Sequence, residues 1–373
     1  MIEVLASFAL AVGVLCAICG GLAALLILAD GYFNDYGVCE IRINDDAEKC
    51  LKIEGGMSLL SALGSRKIFI PSACGGRGSC GLCKLRVTEG AGPLLPTETP
   101  HLTPGEQKNA TRLSCQLKVR GDMAIEIPES LFKIKEYQAR CEKVEKLTHD
   151  IRRLRFKLLD PETISFTPGQ YIQLECPPYR LTSEPVYRAY SIATDPGRNH
   201  IVELVVRLVP DGICTTWIFE ELREGDQVKL NGPYGDFRLD TESRNEMIFI
   251  AGGSGMAPFL SILKQMEQAG DERKCRYFFG ALTKRDLFCL EEMRELEGAL
   301  ADFKFIPALS QPADDDQWEG ETGLITEVVA RHYRECSSQQ AYLCGSPGMI
   351  DACIKVLQER KMPETAIFYD KFA

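Results

Sequence analysis

The longest apolar run in the chain lies at its N-terminus. Val4–Leu28 contains 25 consecutive positions without a charged side chain. A helix that rises about 1.5 Å per residue needs roughly 20 such positions to cross a hydrocarbon core of about 30 Å. A secretory signal peptide has a shorter apolar part and a basic start, whereas the early charged side chain here is Glu3. The pattern therefore predicts a retained transmembrane anchor over residues 1–30.

After the anchor, the pattern changes to short segments in which apolar and polar positions alternate. Such segments are predicted to form strands at Glu40–Ile43 and Cys50–Ile53, and a short helix is predicted to begin near Ser58. A first domain is expected over residues 37–130.

Closely spaced strands with glycine and proline turns follow. They are predicted at Arg153–Lys157, Tyr171–Leu174, Val202–Arg207 and Gln227–Asn231. Strands at this spacing indicate a small antiparallel β-barrel, expected over residues 136–240.

The last third of the chain alternates apolar strands with helices. A strand at Met247–Ala251 precedes a helix at Phe259–Gln268, and further strands are predicted at Cys275–Ala281 and Ala341–Leu343. Strands that are separated by helices predict a doubly wound α/β domain, expected over residues 243–373. The predicted fold is therefore multidomain: a transmembrane helix, a small β-rich domain, an antiparallel barrel and an α/β domain.

Four cysteines have a spacing that suits an iron–sulfur cluster. Cys74, Cys80, Cys83 and Cys115 are separated by five, two and 31 residues. The glycines between them let a loop bend closely around a cluster. Zinc is the weaker alternative because zinc sites usually use two short Cys-x2-4-Cys pairs. The first spacing resembles that of adrenodoxin-like ferredoxins, and this resemblance implies a [2Fe-2S] cluster on a β-grasp fold.

Composition and charge limit the binding partners and the cellular compartment that fit this chain. The net charge of −10 and the pI of about 5.2 argue against nucleic acid as a partner. The other twelve of the sixteen cysteines follow no pairing rhythm, so they are predicted to be reduced core thiols in a reducing compartment.

An R-x-Y-S motif lies within the predicted barrel at Arg188, Tyr190 and Ser191. Arginine can bind a diphosphate with two hydrogen bonds, tyrosine offers a plane for a flat ring, and serine offers a hydroxyl to a ring nitrogen. Taken alone, so short a motif could equally arise by chance.

A second signal follows at Gly212, Thr215 and Thr216, which open an apolar helical segment. The free N–H groups of a helix N-terminus bind anions. A barrel, R-x-Y-S, G-x-x-T-T and then Gly232-Pro233-Tyr234-Gly235 resemble, in this order, the ferredoxin-NADP reductase superfamily. The resemblance implies a flavin, and an arginine together with a helix start favours FAD over FMN.

A glycine-rich turn follows the first strand of the α/β domain and contains Gly252, Gly253, Gly255, Met256 and Pro258. Such a strand–turn–helix unit presents backbone amides to a dinucleotide diphosphate. The alternative is an ordinary turn between a strand and a helix. With the flavin signals nearby, the turn predicts a nicotinamide cofactor. NADH is favoured over NADPH, although the basic residues Lys284 and Arg285 do not decide between them.

The same superfamily resemblance implies catalytic-site roles near the end of the chain. Cys344 and Gly345 belong to a C-G-x-P-x-M turn that is implied to flank the nicotinamide, and Phe372 resembles the aromatic residue that covers the flavin face. Ser191, Cys344 and Phe372 are therefore the catalytic candidates. Core packing is the alternative for Cys344, and terminal fraying is the alternative for Phe372.

The order of anchor, ferredoxin, flavin barrel and nicotinamide domain resembles the F subunits of the bacterial Na⁺-translocating NADH:quinone reductases. This implies hydride transfer from NADH to FAD, single-electron transfer to the cluster, and onward transfer to membrane subunits that reduce a quinone such as ubiquinone. It also implies a single-pass protein of the bacterial inner membrane that contacts lipid through its N-terminal helix. The nicotinamide pool and the reduced thiols predict that the large domain faces the cytoplasm.

Two alternatives remain. A reductase component that feeds a diiron monooxygenase has the same three modules but is usually soluble. A membrane-tethered redox sensor needs no rapid turnover, so slow or absent NADH oxidation would favour it.

Overall fold

The computed structural model describes residues 2–33, 36–313 and 316–372, with the side chains of residues 2–9, 11, 27–33, 47 and 48 left undescribed. Two compact units form: Met1–Ile70 with Cys83–Leu131, and Pro71–Leu82 with Phe132–Ala373. The segment Pro71–Leu82, which carries Cys74 and Cys80, therefore belongs to the larger unit.

The smaller unit contains a long N-terminal helix and a five-stranded sheet. Its helices and strands are α1 (Ile2–Phe33), β1 (Val38–Ile43), β2 (Asp46–Glu54), α2 (Leu59–Ser65), β3 (Lys84–Glu89), a 3-10 turn (Thr99–His101), α3 (Pro104–Lys108), β4 (Thr111–Leu113) and β5 (Met123–Glu126). The strand order is β2-β1-β5-β3-β4, with β1 and β5 parallel. In the part of the chain that is described, no helix combines the length and apolarity of a membrane span.

The local sequence explains how this sheet is built. Cys39, Ile41 and Ile43 alternate along β1 and are buried, so one face of the strand enters the core. Ser58 caps α2 by accepting a hydrogen bond from the Ser61 amide at 3.1 Å. The predicted strands and helix start of this segment are confirmed.

The larger unit begins with an antiparallel barrel, preceded by a 3-10 turn at Glu129–Lys133. Its elements are β6 (Lys135–Lys146), β7 (Ile151–Asp160), β8 (Tyr171–Cys176), β9 (Val186–Ser191), β10 (Ile201–Arg207), α4 (Ile213–Glu220) and β11 (Gln227–Tyr234). The strand order is β10-β7-β6-β11-β8-β9. An antiparallel bridge from Ile192 to Leu204 joins the two ends of this order and closes the barrel.

A parallel α/β domain completes the larger unit. Its elements are β12 (Glu246–Gly252), a 3-10 turn (Gly253–Met256), α5 (Ala257–Ala269), β13 (Cys275–Ala281), a 3-10 turn (Lys284–Asp286), α6 (Leu290–Ala299), β14 (Phe303–Leu309), β15 (Glu321–Thr322), α7 (Ile325–His332), β16 (Gln339–Gly345), α8 (Pro347–Glu359), a 3-10 turn (Glu364–Ala366) and β17 (Ile367–Lys371). The order is β15-β14-β13-β12-β16-β17.

The order of this sheet reverses beside β12, between β13 and β16. Ligands bind outside the carboxyl ends of strands at such a switch point. Phe249, at the centre of β12, is fully buried and packs against Phe259 of α5 with ring centroids 4.8 Å apart. The doubly wound sheet predicted for this segment is confirmed.

Candidate cofactor and catalytic site

The larger unit contains a cavity of about 700 Å³. The parts of the unit that line it include the loop Pro71–Leu82, the end of β9, the start of α4, the turn after β12, and the chain end at Asp370–Phe372. A space of this size is typical of small-molecule and cofactor sites.

The structure brings many of the predicted site residues to this cavity. Those that line it are Arg188, Tyr190, Ser191, Gly212, Thr215, Gly252, Gly253 and Phe372. The other predicted residues of the two nucleotide motifs do not line it: Thr216, Gly255, Met256, Pro258, Cys344 and Gly345. Within the second group, Gly255 packs closely on Cys344, since a Cβ atom on Gly255 would overlap the Cys344 carbonyl.

The R-x-Y-S segment presents polar groups that lack protein partners. The Tyr190 hydroxyl is buried and has no hydrogen-bond partner among the described residues. The Arg188 Nη1 donates to the carbonyl oxygen of its neighbour Tyr187 at 2.8 Å. Because buried polar atoms are normally paired, the free hydroxyl fits a site that a polar cofactor completes.

The cluster-binding loop packs directly on this segment. Gly75 has a φ of +63°, and a Cβ atom there would overlap the Arg188 guanidinium and the Tyr187 carbonyl oxygen. Only glycine satisfies both the backbone conformation and this close approach. The loop that carries Cys74 and Cys80 therefore lies against β9, at the wall of the cavity.

The four predicted cluster ligands form two close pairs, one within each unit. The Sγ atoms of Cys74 and Cys80 lie 3.4 Å apart in the larger unit. A hydrogen bond from Cys80 lowers the pKa of the Cys74 thiol, and a thiolate is the form that binds metal. Cys83 and Cys115 are hydrogen-bonded to one another in the smaller unit. Both pairs fit iron ligation.

Ser191 is paired with a carboxyl group from the end of the chain. Its Oγ donates to Asp370 Oδ2 at 3.4 Å, and both residues line the cavity. Burial raises the pKa of Asp370 to about 6, although the hydrogen bond from Ser191 acts in the opposite direction. Burial therefore keeps this carboxyl group protonated to a higher pH than a carboxyl group in water.

The turn after β12 is tightly packed against the end of β16. Gly253 has a φ of +54°, and a Cβ atom on Gly255 would overlap the Cys344 carbonyl. The Cys344 thiol is fully buried, and this burial raises its pKa well above the usual value. The Phe372 amide donates to the Gly345 carbonyl at 3.0 Å and fixes the chain end beside this turn.

Arg207 is a site residue that the sequence motifs do not reveal. It ends β10, lines the cavity, and its Nε donates to Asp150 Oδ2 at 2.7 Å. Its Nη1 lies 3.4 Å from the position that a Cβ atom on Gly253 would take. The positively charged Arg207 guanidinium group therefore lies beside the glycine turn at Gly253. In the sequence, this residue is marked by its place at the end of the predicted barrel strand Val202–Arg207.

The chain matches three protein families in succession. Residues 41–120 match the 2Fe-2S iron-sulfur cluster binding domain, residues 138–239 the oxidoreductase FAD-binding domain, and residues 249–355 the oxidoreductase NAD-binding domain. Together with the cavity, these matches define an iron–sulfur flavoprotein that oxidises a nicotinamide cofactor.

The curated relatives narrow this class. The chain is 36% identical to the F subunit of the Na(+)-translocating NADH-quinone reductase of Histophilus somni, over 94% of this chain and 96% of the relative. It is 35% identical to the Pseudomonas aeruginosa F subunit, over 97% and 98%. The chain belongs to the family of F subunits of the Na(+)-translocating NADH-quinone reductases.

Solved structures share the fold. The Amycolatopsis cytochrome P450 reductase GcoB aligns with a TM-score of 0.71 and 27% identity, covering 90% of this chain and 98% of that one. The ferredoxin reductase of carbazole 1,9a-dioxygenase aligns with a TM-score of 0.69 and 25% identity, covering 90% and 99%.

Proposed function

We propose that this chain is the NADH-oxidising subunit of a Na⁺-translocating NADH:quinone reductase. It oxidises NADH with FAD, passes single electrons to a [2Fe-2S] cluster, and delivers them to a partner subunit in the membrane. One observation carries the electron route: a single cavity is lined by the NADH turn, the R-x-Y-S segment and the cluster-binding loop.

When bound, FAD accepts a hydride and gives up electrons one at a time, and the cluster carries one electron. The chain's own residues hold and orient these groups. Arg188 and the start of α4 at Gly212 bind the flavin diphosphate through guanidinium and backbone N–H groups. Tyr190 would offer its ring to the flavin, and its hydroxyl, which lacks a partner among the described residues, would gain one. When FAD is bound, Ser191 would turn its one hydroxyl proton from Asp370 to the flavin.

The proposed NADH site uses residues that line the same cavity. Gly252 and Gly253 let the NADH diphosphate approach the backbone, and Arg207 adds a positive charge beside them. Phe372 occupies the stacking position until the nicotinamide enters. Cys344 packs behind the turn and sets its position. Bringing nicotinamide and flavin together in a site that excludes water is what accelerates the transfer.

Cys74, Cys80, Cys83 and Cys115 are the proposed cluster ligands. Their spacing, the close pairing of the thiols within each unit and the match to a 2Fe-2S binding domain support this assignment. Because Gly75 lies against Arg188, the loop with two of the ligands is next to the flavin site, which favours direct electron transfer.

We also propose that residues 1–30 anchor the protein as a single span in the bacterial inner membrane. The apolar run Val4–Leu28 and the family of the multisubunit quinone reductase support this. Contact with lipid through this segment would keep the reductase beside its partner subunits. Reduced thiols and NADH supply favour a cytoplasmic orientation.

A second candidate is the reductase component of an oxygenase. The likeness to a cytochrome P450 reductase and to the reductase of carbazole 1,9a-dioxygenase favours it. Identity to these proteins is 27% and 25%, against 34% to 36% for the quinone reductase relatives. The quinone reductase assignment is therefore the stronger one.

The electron route is tested with Cys83→Ser in the full chain, purified in detergent. We expect NADH to bleach the flavin at the normal rate while the cluster signal is absent and electron delivery to quinone in the assembled complex stops. Cys50→Ser is the matched control, because Cys50 is a partly buried thiol of the same unit outside the ligand set. Normal quinone reduction by Cys83→Ser would refute the route.

The anchor is tested separately by expressing the full chain and a variant that lacks residues 2–33. We expect the full chain to stay in washed membranes through alkaline carbonate treatment and the shortened chain to be soluble and to oxidise NADH with an artificial acceptor. Release of the full chain by carbonate would contradict the anchor and leave the electron route unaffected.

A further inference from the structure

The cluster-binding loop contributes its own positive charge to the flavin cavity. Arg77 lies between Cys74 and Cys80 in sequence and lines the cavity together with Arg188. Its side chain is exposed. The loop therefore adds an exposed cation to the cavity wall.

Neither guanidinium group has a carboxylate partner in the part of the chain that the structure describes. Among the described residues, no carboxylate forms an ion pair with Arg77 or Arg188, whereas Arg207 on the same cavity is held by Asp150. Two cations that face one cavity repel one another, and an anion bound between them offsets this repulsion. The arrangement therefore fits a ligand with more than one negative charge.

The positive charges of Arg77 and Arg188 both act on the start of α4. Cys214, at the second position of the helix, lines the cavity and is 3% exposed. A hydrogen bond from Cys176 lowers the pKa of its thiol, and the positive charges of Arg188 and Arg77 lower it further. Both arginines thus act on the first turn of α4, where the N–H groups also attract anions.

We propose that Arg77 of the iron–sulfur loop is a second ligand of the FAD diphosphate, in addition to Arg188. This inference rests on the proposed flavin site and extends it to the cluster-binding loop. The bound diphosphate then joins the loop Pro71–Leu82 to the barrel. FAD binding and the order of the cluster loop are therefore coupled, and the coupling acts equally in both directions.

The coupling between FAD binding and the order of the loop Pro71–Leu82 can be measured without turnover. FAD should slow amide hydrogen exchange in the loop Pro71–Leu82, because the Arg77 contact holds the loop against β9. Removing the charge at Arg77 should leave FAD bound more weakly and should abolish most of this protection. Cluster content is checked in each sample from visible absorbance and iron analysis.

The experiment uses the full chain with its cluster, freed of FAD, and titrates FAD by flavin fluorescence at low salt. Arg77→Gln should weaken binding by about three- to tenfold, and the difference should shrink near 0.5 M salt because exposed charges are screened. Arg77→Lys should retain most of the affinity. Arg120→Gln, which changes an exposed arginine outside the cavity, is the matched control and should bind FAD normally.

The variant Arg188→Gln distinguishes a failure of the Arg77 proposal from a failure of the proposed flavin site. If Arg188→Gln weakens FAD binding while Arg77→Gln binds as tightly as the wild type and keeps the loop protection, the Arg77 proposal is wrong and the flavin site stands. If neither variant changes the affinity, the flavin site itself is wrong. If Arg77→Gln loses its cluster, an unchanged FAD affinity of Arg77→Lys between low and high salt overturns the proposal.

Discussion

The contact between Gly75 and Arg188 gives the sharpest prediction. In Gly75→Ala, the new methyl group overlaps the Arg188 guanidinium and the Tyr187 carbonyl oxygen. The carbonyl belongs to the backbone of β9 and cannot move aside without disturbing the strand. The arginine, or the whole loop, must shift, so the substitution should damage flavin binding from outside the barrel.

The substitution should have two effects, one on the stability of the fold and one on the affinity for FAD. The first is the cost of an alanine at a φ of +63°, about 1–2 kcal/mol of stability. The second is the displacement of Arg188 from the diphosphate, where a hydrogen bond to a charged group contributes about 1.5–3 kcal/mol. We therefore expect FAD to bind about 10- to 150-fold more weakly.

Gly92→Ala is a control for the first effect alone. Gly92 has the same φ of +63°, but nothing lies within 4 Å of its added Cβ atom. Both variants should lose similar stability, and only Gly75→Ala should lose FAD affinity in fluorescence titrations. Equal FAD affinity of the two variants would refute the reasoning that the cluster loop braces the flavin site.

Three further predictions concern separate parts of the chain. Since the pKa of Asp370 is raised to about 6, the folded state binds more protons than the unfolded state between pH about 4 and 6, and stability falls as pH rises through this window. Asp370→Asn should therefore stabilise the FAD-free protein by up to about 2 kcal/mol near pH 7.5 and by nothing near pH 4, measured by urea unfolding; equal gains at both pH values would contradict this. Arg112→Met leaves Glu98 buried without its partner at 2.6 Å and should cost about 3–5 kcal/mol in the same assay, whereas a loss below about 1 kcal/mol would show that the pair matters little. Phe372→Ala should tighten NAD⁺ binding about three- to tenfold in equilibrium titrations, because the ring no longer competes for the stacking position, and unchanged or weaker binding would argue against that role.

The residue types and local spacings made much of this molecule predictable. Cys74 and Cys80 are close in sequence and lie together in the fold, and Arg188 and Ser191 belong to one strand, so these local motifs carry their own geometry. The strand periods predicted the barrel and the parallel sheet for the same reason. These features depend on neighbours along the chain.

The remaining features depend on contacts between distant segments. Arg77 and Arg207 carry no motif, and only folding brings them to the cavity. Gly255 looks like a diphosphate contact in sequence, yet in the fold it allows the turn to pack on Cys344. The chain segment that holds Cys74 joins the larger unit because it packs on β9, which local pattern alone does not show.

The central claim is that electrons from NADH pass through the flavin to the cluster within this one chain. The most direct test is an anaerobic titration of the detergent-purified full chain with NADH, following flavin absorbance and the EPR signal of the reduced cluster together. The account predicts that NADH bleaches the flavin and produces a one-electron [2Fe-2S] signal in the same samples. A bleached flavin with a cluster that stays oxidised would contradict it.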